Sequence, residues 1–317
     1  MNRRLFSRRV AGAAVAASLA RTSFGFAQQT GTQQTASGAA SHGEAPGVPF
    51  RLSVMAWTVF TDLPFEQCME KISEAGYKNI ELVGEYHKWS EEEIGRVLAK
   101  QKQLGIHFDV TAGLKHGAGN PDERDALIDD LRKELPIMER LGCPAVIIMS
   151  GNVVRDMPRE AQHRSCIESL KRAAELIEGK TINGEPIRLL LENIDPEENP
   201  KYYLTSVAEG FEIIKLVNHP QVQLLYDFFH EQISEGNLIE KLVENIAHTG
   251  LVHIADVPGR HEPGTGEINY ENIFRKLGEL NYNRIAAMEF LPTSDPVGKL
   301  RAARELALKF GRRQSEG

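Results

Sequence analysis

The sequence predicts a single α/β domain folded as a (β/α)8 TIM barrel, and three observations carry that prediction. From Phe50 onward, short apolar runs alternate with amphipathic stretches of about 10–20 residues, which is typical of successive strand–helix units around a parallel sheet. The roughly 270 residues from Phe50 to the end are close to the ~250 that such a barrel needs. No glycine-rich GxGxxG turn follows the first strand, so the sequence lacks the main signal of a dinucleotide-binding sheet.

Eight segments have the short, apolar character of buried strands. They are Arg51–Trp57, Asn79–Val83, His107–Thr111, Ala145–Ser150, Arg188–Asn193, Gln223–Asp227, Gly250–Ala255 and Arg284–Phe290. Eight consecutive units of this kind favour a closed barrel over an open sheet.

Stretches with helical periodicity lie between these strands. Clear examples are Pro64–Ala75, Glu91–Leu104, Ala126–Leu141, Arg159–Glu178, Ser206–Val217, Leu238–Ile246 and Tyr270–Leu277. Three of them are followed by a glycine shortly before a strand, at Gly76, Gly105 and Gly142. We expect a left-handed backbone conformation there, which ends the helix.

Residues 1–27 have the pattern of an export signal. Basic residues precede the apolar run Val10–Ala20, which is too short to span a bilayer, and Gly25 and Ala27 supply small residues at a cleavage position. Ser7–Arg9 resembles a twin-arginine signal, although the usual hydrophobic pair does not follow it. An ordinary secretory signal is the alternative. Either one predicts a periplasmic or otherwise exported protein.

Residues 28–49 separate this leader from the first strand. They are rich in Gln, Thr, Ser, Gly and Ala and have no apolar periodicity. Such a composition predicts a flexible linker. The catalytic barrel is therefore expected to span residues 50–317.

Charge and hydropathy limit the partners of the chain. The formal net charge is -7, and the five arginines of the leader have no acids beside them, so the remainder is more acidic still. This argues against a nucleic-acid partner, which needs a basic surface. No segment is long and apolar enough to predict stable membrane association. We expect a small-molecule substrate, and the helix patterns leave open whether the protein forms a homo-oligomer.

The last four predicted strands each carry a carboxylate or an imidazole at or near their C-terminal end. Glu192, Asp227, His253 and Glu289 are separated by 35, 26 and 36 residues, each about one strand–helix unit. Catalytic groups of a barrel lie at this end of its strands, and adjacent strands are about 4.8 Å apart, so we expect these side chains to converge. Three carboxylates and one imidazole suit Mn²⁺, Mg²⁺ or Co²⁺ better than structural zinc.

Each of these residues also has a plainer interpretation when it is taken alone. A lone Glu or His at a strand end is commonly a solvated charge at the rim, and Asp227 can simply cap the helix that follows it. Glu81 and His107 fall inside their strands, where register decides whether they face the barrel interior. Four charged groups on four successive strands nevertheless favour the metal site.

The expected chemistry is proton transfer next to a carbonyl group. A C–H bond in that position is a poor acid, and a metal at the carbonyl oxygen would stabilise the enediolate that deprotonation forms. Glu192 and Glu289 are the candidates for base and acid, while Asp227 and His253 would complete the metal's ligands. His230 is expected to contact a substrate oxygen or to orient a ligand.

Two other residues are candidates for substrate binding. Arg260 lies in a turn-rich loop and can bind a carboxylate or hydroxyl group, although a surface ion pair with Glu262 or Glu267 is the alternative. Trp57 can form an apolar wall against the carbon atoms of a sugar, or can pack at the top of the barrel. In the same loop as Arg260, Gly266 is expected to let a ligand approach the backbone closely.

The stretch Val252–Tyr270 resembles hydroxypyruvate isomerase, a family of xylose isomerase-like barrels. A looser resemblance covers most of the predicted domain and includes Leu191–Asn193 and Tyr226–His230. The resemblance implies a metal-dependent isomerase of a small hydroxy-carbonyl compound. One position departs from it, because hydroxypyruvate isomerases tend to carry Gln where this chain has His253. A Glu, Asp, His, Glu set is instead the pattern of ketose 3-epimerases.

Alternatives to the isomerase share its fold. A ketose 3-epimerase, or a lyase or dehydratase of a sugar acid or inositol derivative, would use the same metal ligands. An apurinic-site endonuclease would need a basic groove and more metal ligands than this acidic chain offers. A sugar-binding barrel without turnover is the remaining alternative.

Overall fold

A computed structural model describes residues 47–312 of the chain. Within that range, eight parallel strands close into a barrel, with the last strand paired to the first. The strands are β1 (Arg51–Met55), β2 (Asn79–Leu82), β3 (His107–Thr111), β4 (Ala145–Met149), β5 (Arg188–Glu192), β6 (Val222–Asp227), β7 (Thr249–Ile254) and β8 (Ile285–Met288). The (β/α)8 barrel expected from the sequence is confirmed. The predicted signal and nearly all of the predicted linker lie outside the described residues.

Helices surround the barrel. They are α1 (Phe65–Glu74), α2 (Glu91–Leu104), α3 (Arg124–Leu141), α4 (Arg159–Ile177), α5 (Val207–Val217), α6 (Phe228–Ser234), α7 (Leu238–Asn245), α8 (Tyr270–Glu279) and α9 (Pro296–Phe310). A short antiparallel hairpin, Thr181–Ile182 with Glu185–Pro186, precedes β5. The helices α6 and α9 and this hairpin were not among the elements predicted from the sequence.

Local signals in the sequence explain where the helices begin and end. At the start of α2, the Ser90 hydroxyl accepts a hydrogen bond from the Glu93 amide, and the Glu93 carboxylate accepts one from the Ser90 amide. This reciprocal pair satisfies amides that the first helical turn leaves free. Gly105 and Gly142 follow α2 and α3 with φ of 61° and 70°, as expected for left-handed caps.

Several strands are shorter than predicted at their C-terminal ends. β1 ends at Met55, and the next three residues, including Trp57, form a single 3₁₀ turn. β8 ends at Met288, so Glu289 is the first residue beyond it. Side chains just past a strand end leave the ladder and point towards the mouth of the barrel. The shortening therefore places Trp57 and Glu289 where a ligand can reach them.

Apolar side chains fill two layers. The interior of the barrel packs Met55, Val110, Ala145, Ile147, Leu190, Leu225, Leu251, Ile285 and Ala287. A larger core lies between the strands and the helices. Val48 belongs to that core and is 3% exposed, so the linker prediction is wrong for its last residues, where apolar burial already ties the chain to the domain.

No helix in the described range is long and apolar enough to cross a membrane.

Candidate active site

The structure brings together the four side chains that the sequence predicted to converge. Glu192, Asp227, His253 and Glu289 each offer one ligand atom, and these atoms lie within 4.8 Å of one another. From His253 Nδ1, the distances are 2.7 Å to Glu289 Oε2, 3.4 Å to Glu192 Oε1 and 3.7 Å to Asp227 Oδ2. All four residues are buried at the C-terminal mouth of the barrel. We call them the quartet.

Asp227 has both of the roles that the sequence left open. Its Oδ1 accepts hydrogen bonds from the amides of Phe229 at 2.7 Å and His230 at 3.1 Å, and so caps α6. Its Oδ2 is buried and has no hydrogen-bond partner in the described structure. The cap therefore fixes the carboxylate and leaves one oxygen for the quartet.

A buried glutamate holds the imidazole of the quartet. Glu81 is fully buried on β2, and its Oε2 lies 2.9 Å from His253 Nε2. In a neutral ring this pairing places the proton on Nε2, which would leave the lone pair of Nδ1, the atom nearest the three carboxylates, available to a cation. The register of β2 directs the Glu81 side chain into the barrel interior. The position of Glu81 in the sequence did not decide this by itself.

Arg260 lies beside the quartet, on the side that faces the pocket. Its Nη2 donates to Glu289 Oε2 at 2.7 Å and its Nη1 to Glu198 Oε2 at 2.8 Å. The guanidinium lies over the rings of Trp57 and Phe229, 5.4 Å and 4.9 Å from their centroids, an arrangement that favours a cation. The alternative of a surface ion pair is wrong, since Arg260 is buried and its partners are other carboxylates.

His230 is held in place by an acid that the sequence analysis did not single out. Its Nδ1 lies 2.5 Å from Asp195 Oδ2, and its Nε2 lies 3.5 Å from Asp227 Oδ2 and 3.3 Å from Arg260 Nη1. Burial opposes a charge on the ring, but the charge of Asp227 and the hydrogen bond that the ring donates to Asp195 outweigh it and raise the pKa of His230 to about 8. Glu198, the partner of Arg260, lies in the same loop after β5 and was also missed. A cluster of acids directly after a strand end was the available signal.

The protonation of the quartet reflects its crowding. Burial raises the pKa of Glu192. Burial would also raise that of Glu289, but Arg260 and His253 hold it well below its ordinary value. The pKa of His253 is raised well above its usual range, because Glu289 and Glu81 outweigh the effect of burial. Three carboxylates around one imidazole thus favour a positive charge at this point, either on the imidazole itself or on a cation that takes the place of its second proton.

A pocket of about 440 Å³ opens above the quartet and has two chemically different halves. Its charged half comes from β5–β8 and the loops after them, and includes Glu192 and Glu289. Its apolar half comes from the ends of β1–β4 and the segments after them: Met55, Trp57, Val83, Ala112, Leu114, Ile147 and Met149. Trp57 joins the halves, because its indole N–H donates to Glu289 Oε1 at 2.9 Å.

The quartet has the chemistry of a divalent metal site. Asp227 Oδ2 and His253 Nδ1 are buried atoms without hydrogen-bond partners among the described residues, and both belong to the group of ligand atoms within 4.8 Å. A buried polar atom that makes no hydrogen bond is costly unless another group satisfies it. Three carboxylates and one imidazole are ligands that a divalent cation accepts. The residues therefore fit the metal that the sequence predicted.

The loop from Asp256 to Asn269 carries Arg260 and is built around one carboxylate. The two oxygens of Asp256 accept hydrogen bonds from the amides of Val257, Gly264, Gly266 and Ile268, at 2.9–3.0 Å. The expectation that Gly266 lets a ligand approach stays a prediction, but packing already requires a glycine there, because a Cβ would lie 1.9 Å from the Val257 carbonyl oxygen. That glycine serves close packing within the loop.

Comparison with known proteins identifies the family. Residues 69–309 match the xylose isomerase-like TIM barrel family, which is more than half of the chain. The chain belongs to this family. A curated relative named 2-oxo-tetronate isomerase, from Haemophilus influenzae, is 32% identical over 247 residues, covering 75% of this chain and 92% of that protein. Hydroxypyruvate isomerase from Escherichia coli is 28% identical over 256 residues, covering 79% and 97%. These family members confirm the prediction of an isomerase.

Solved structures share the fold of this chain. An AP endonuclease, family 2, from Brucella melitensis superimposes with a TM-score of 0.69 at 25% identity, over 80% of this chain and 96% of that chain. D-psicose 3-epimerase from Clostridium cellulolyticum gives 0.66 at 19% identity, over 82% and 97%. At that identity the second likeness shows the fold alone.

Proposed function

We propose that the protein is a metal-dependent isomerase or epimerase that transfers a proton next to the carbonyl group of a small hydroxy-carbonyl compound. One observation carries the proposal: Glu192 and Glu289 belong to the buried quartet and also line the pocket. They can therefore hold a cation and still reach a bound substrate. The compounds named for the relatives, hydroxypyruvate and 2-oxo-tetronate, are the first substrates to test.

Each residue of the site has a distinct part in this chemistry. A divalent cation held by the quartet would polarise the substrate's carbonyl oxygen and make the neighbouring C–H bond more acidic. One of Glu192 and Glu289 removes the proton from carbon and leaves an enediolate. In an isomerisation the same carboxyl group returns the proton to the neighbouring carbon, while the hydroxyl proton moves to the former carbonyl oxygen. In an epimerisation the other carboxyl group gives a proton to the same carbon from the opposite face. Arg260 and His230 donate hydrogen bonds from the wall of the pocket, where negative charge on the substrate oxygens develops.

A ketose 3-epimerase is the second candidate, and two observations favour it. The imidazole of the quartet is His253, the ligand type that the sequence analysis associated with ketose 3-epimerases. The pocket of about 440 Å³ falls within the range of pockets that take ligands much larger than a three-carbon acid. Its apolar half offers a surface for the carbon chain of a longer sugar.

The test is proton exchange followed by NMR in D₂O with Mg²⁺, using hydroxypyruvate, a four-carbon 2-oxo acid and a panel of ketoses. We expect deuterium uptake next to the carbonyl of at least one compound, and its loss on addition of a chelator. Glu192→Gln and Glu289→Gln should each lower the rate by about 10²-fold or more, with an unchanged circular dichroism spectrum. Near-normal exchange in either variant would remove that residue from the proton transfer, and mass loss of water from the product would indicate a dehydratase.

A further inference from the structure

A second pocket lies at the opposite end of the barrel, where the strands begin. It has a volume of about 380 Å³ and is lined by three cationic side chains, Lys180, Arg188 and Arg284, with no carboxylate among its described lining residues. Arg188 is the first residue of β5, and Arg284 immediately precedes β8. We call this cavity the floor pocket. None of its residues belongs to the active site.

The charge of the floor pocket is not neutralised by its surroundings. Arg284 Nη1 is buried and lacks a hydrogen-bond partner within residues 47–312. The carboxylate of Glu185 lies 4.0 Å from Arg188 Nη1, but its other oxygen pairs with Arg51 at 2.7 Å. Asp109, a further acid near this end, interacts more strongly with Arg51 than with Arg188. The cations of the pocket therefore exceed the acids available to them.

The positive charges of the floor pocket repel one another. Burial and then the neighbouring charge of Arg284 lower the pKa of Arg188, and burial lowers that of Arg284. The chain as a whole is acidic, with a formal net charge of -7. The floor pocket is therefore a positively charged region of a negatively charged protein. Arg284 as a whole is partly exposed, but a buried N–H group without a partner, such as its Nη1, is costly unless an ion or water satisfies it.

We propose that the floor pocket binds an oxyanion of the phosphate class through Arg188, Arg284 and Lys180. Guanidinium groups present paired N–H donors that match the oxygens of a phosphate, and an ammonium group adds a point charge. The volume of about 380 Å³ exceeds that of a single phosphate group, so a phosphate monoester also fits. The anion has two potential sources, free phosphate and a phosphorylated metabolite.

An anion in this position would connect parts of the chain that are distant in sequence. Lys180 follows α4, Arg188 is the first residue of β5 and Arg284 immediately precedes β8. Binding would replace repulsion between the two arginines by attraction to a shared partner. We therefore expect the ligand to raise the melting temperature as well as to bind saturably.

The experiment is calorimetric titration of the folded protein with inorganic phosphate, against sodium chloride at matched ionic strength. We expect saturable phosphate binding that becomes at least tenfold weaker in Arg284→Gln and in Arg188→Gln. Arg164→Gln, which removes the same charge from an exposed position on α4, should bind like the wild type. Arg284→Lys should be intermediate, because it keeps the charge and loses the paired donors.

Two further measurements decide the interpretation. Melting curves without phosphate establish that each variant is folded before its affinity is compared. Glycerol phosphate that binds as tightly as inorganic phosphate would indicate a phosphorylated metabolite, and selective binding of inorganic phosphate would indicate the free ion. Absence of saturable binding, or binding lost in Arg260→Ala but intact in Arg284→Gln, would overturn the proposal, since the second result would place the anion in the active site.

Discussion

Single carboxylates at the mouth of the barrel perform two tasks with their two oxygens. Asp227 caps α6 with Oδ1 and contributes Oδ2 to the quartet. Glu289 Oε1 accepts a hydrogen bond from the indole N–H of Trp57, and Glu289 Oε2 contacts Arg260 and His253. A substitution at either position therefore alters local structure and charge together, and variants are best designed to change one contact at a time.

Arg260→Ala tests the cation in the pocket wall. Removing the guanidinium deprives Glu289 and Glu198 of a charged partner and the substrate of a donor. Since hydrogen bonds to charged groups contribute about 1.5–3 kcal/mol, we expect kcat/KM to fall about 10- to 100-fold, with KM raised. Steady-state kinetics on the identified substrate provide the measurement. Arg260→Lys, which keeps the charge, should lose less, and unchanged kinetics in the alanine variant would exclude a contact with substrate.

Glu81 tests how the imidazole of the quartet is oriented. Glu81→Ala removes the acceptor for His253 Nε2, so we expect metal affinity to fall about 10- to 100-fold, as is typical when the partner of a metal-binding histidine is lost. Glu81→Gln keeps an acceptor oxygen and should lose less. Competition with a fluorescent chelator measures the affinity independently of activity. Equal affinities in all three proteins would mean that Glu81 does not orient the ring.

At the scale of elements, the loop between β7 and α8 is held by contacts within itself and with the neighbouring loop and helix. Asp256 gathers four of its amides, and Glu262 anchors it to Thr293 and Lys299 in the next loop and helix. Those contacts hold Arg260, whose backbone has a φ of 56°. The turn-forming residues of this loop are visible in the sequence, but the role of Asp256 is not, because hydrogen bonds to amides up to 12 residues away leave no periodic pattern.

Asp256→Ala should loosen this loop while leaving the barrel folded. Four amides lose a charged acceptor, so we expect hydrogen exchange to accelerate across residues 257–268, and kcat/KM to fall at least tenfold as Arg260 loses its position. Mass-spectrometric hydrogen exchange localises the effect. Asp256→Asn, which keeps one acceptor oxygen, should give a smaller change. Uniform acceleration over all strands would instead indicate global destabilisation.

At the scale of the whole molecule, the regular alternation of apolar strands and amphipathic helices was sufficient to predict the barrel and the quartet. Spacing of one strand–helix unit places residues at the same end of adjacent strands, so Glu192, Asp227 and Glu289 follow from periodicity. The contact of Glu81 with His253 spans 172 residues and depends on register, which periodicity does not reveal. The short helix α6 was missed because seven residues give little periodicity. Export and oligomeric state stay predictions.

Metal loading should stabilise the whole domain, because the cation would bind residues from four strands that come together on folding. At 100 times Kd, binding contributes about 2.7 kcal/mol, which for a domain of this size corresponds to roughly 5–10 °C in Tm. Differential scanning fluorimetry with Mn²⁺, and then with excess chelator, provides the measurement. Asp227→Asn should reduce the shift, and a Tm that ignores both additions would argue against the quartet as a metal site.

The two-sided pocket has an evolutionary consequence. The charged side chains come from one half of the barrel, whereas Val83, Leu114 and Met149 line the pocket from the other half and contribute no side-chain charge. Substitutions at these three positions can accumulate without altering a side chain that contacts the quartet. A lineage with this layout can exchange one substrate for another through single apolar substitutions while its reaction is inherited unchanged.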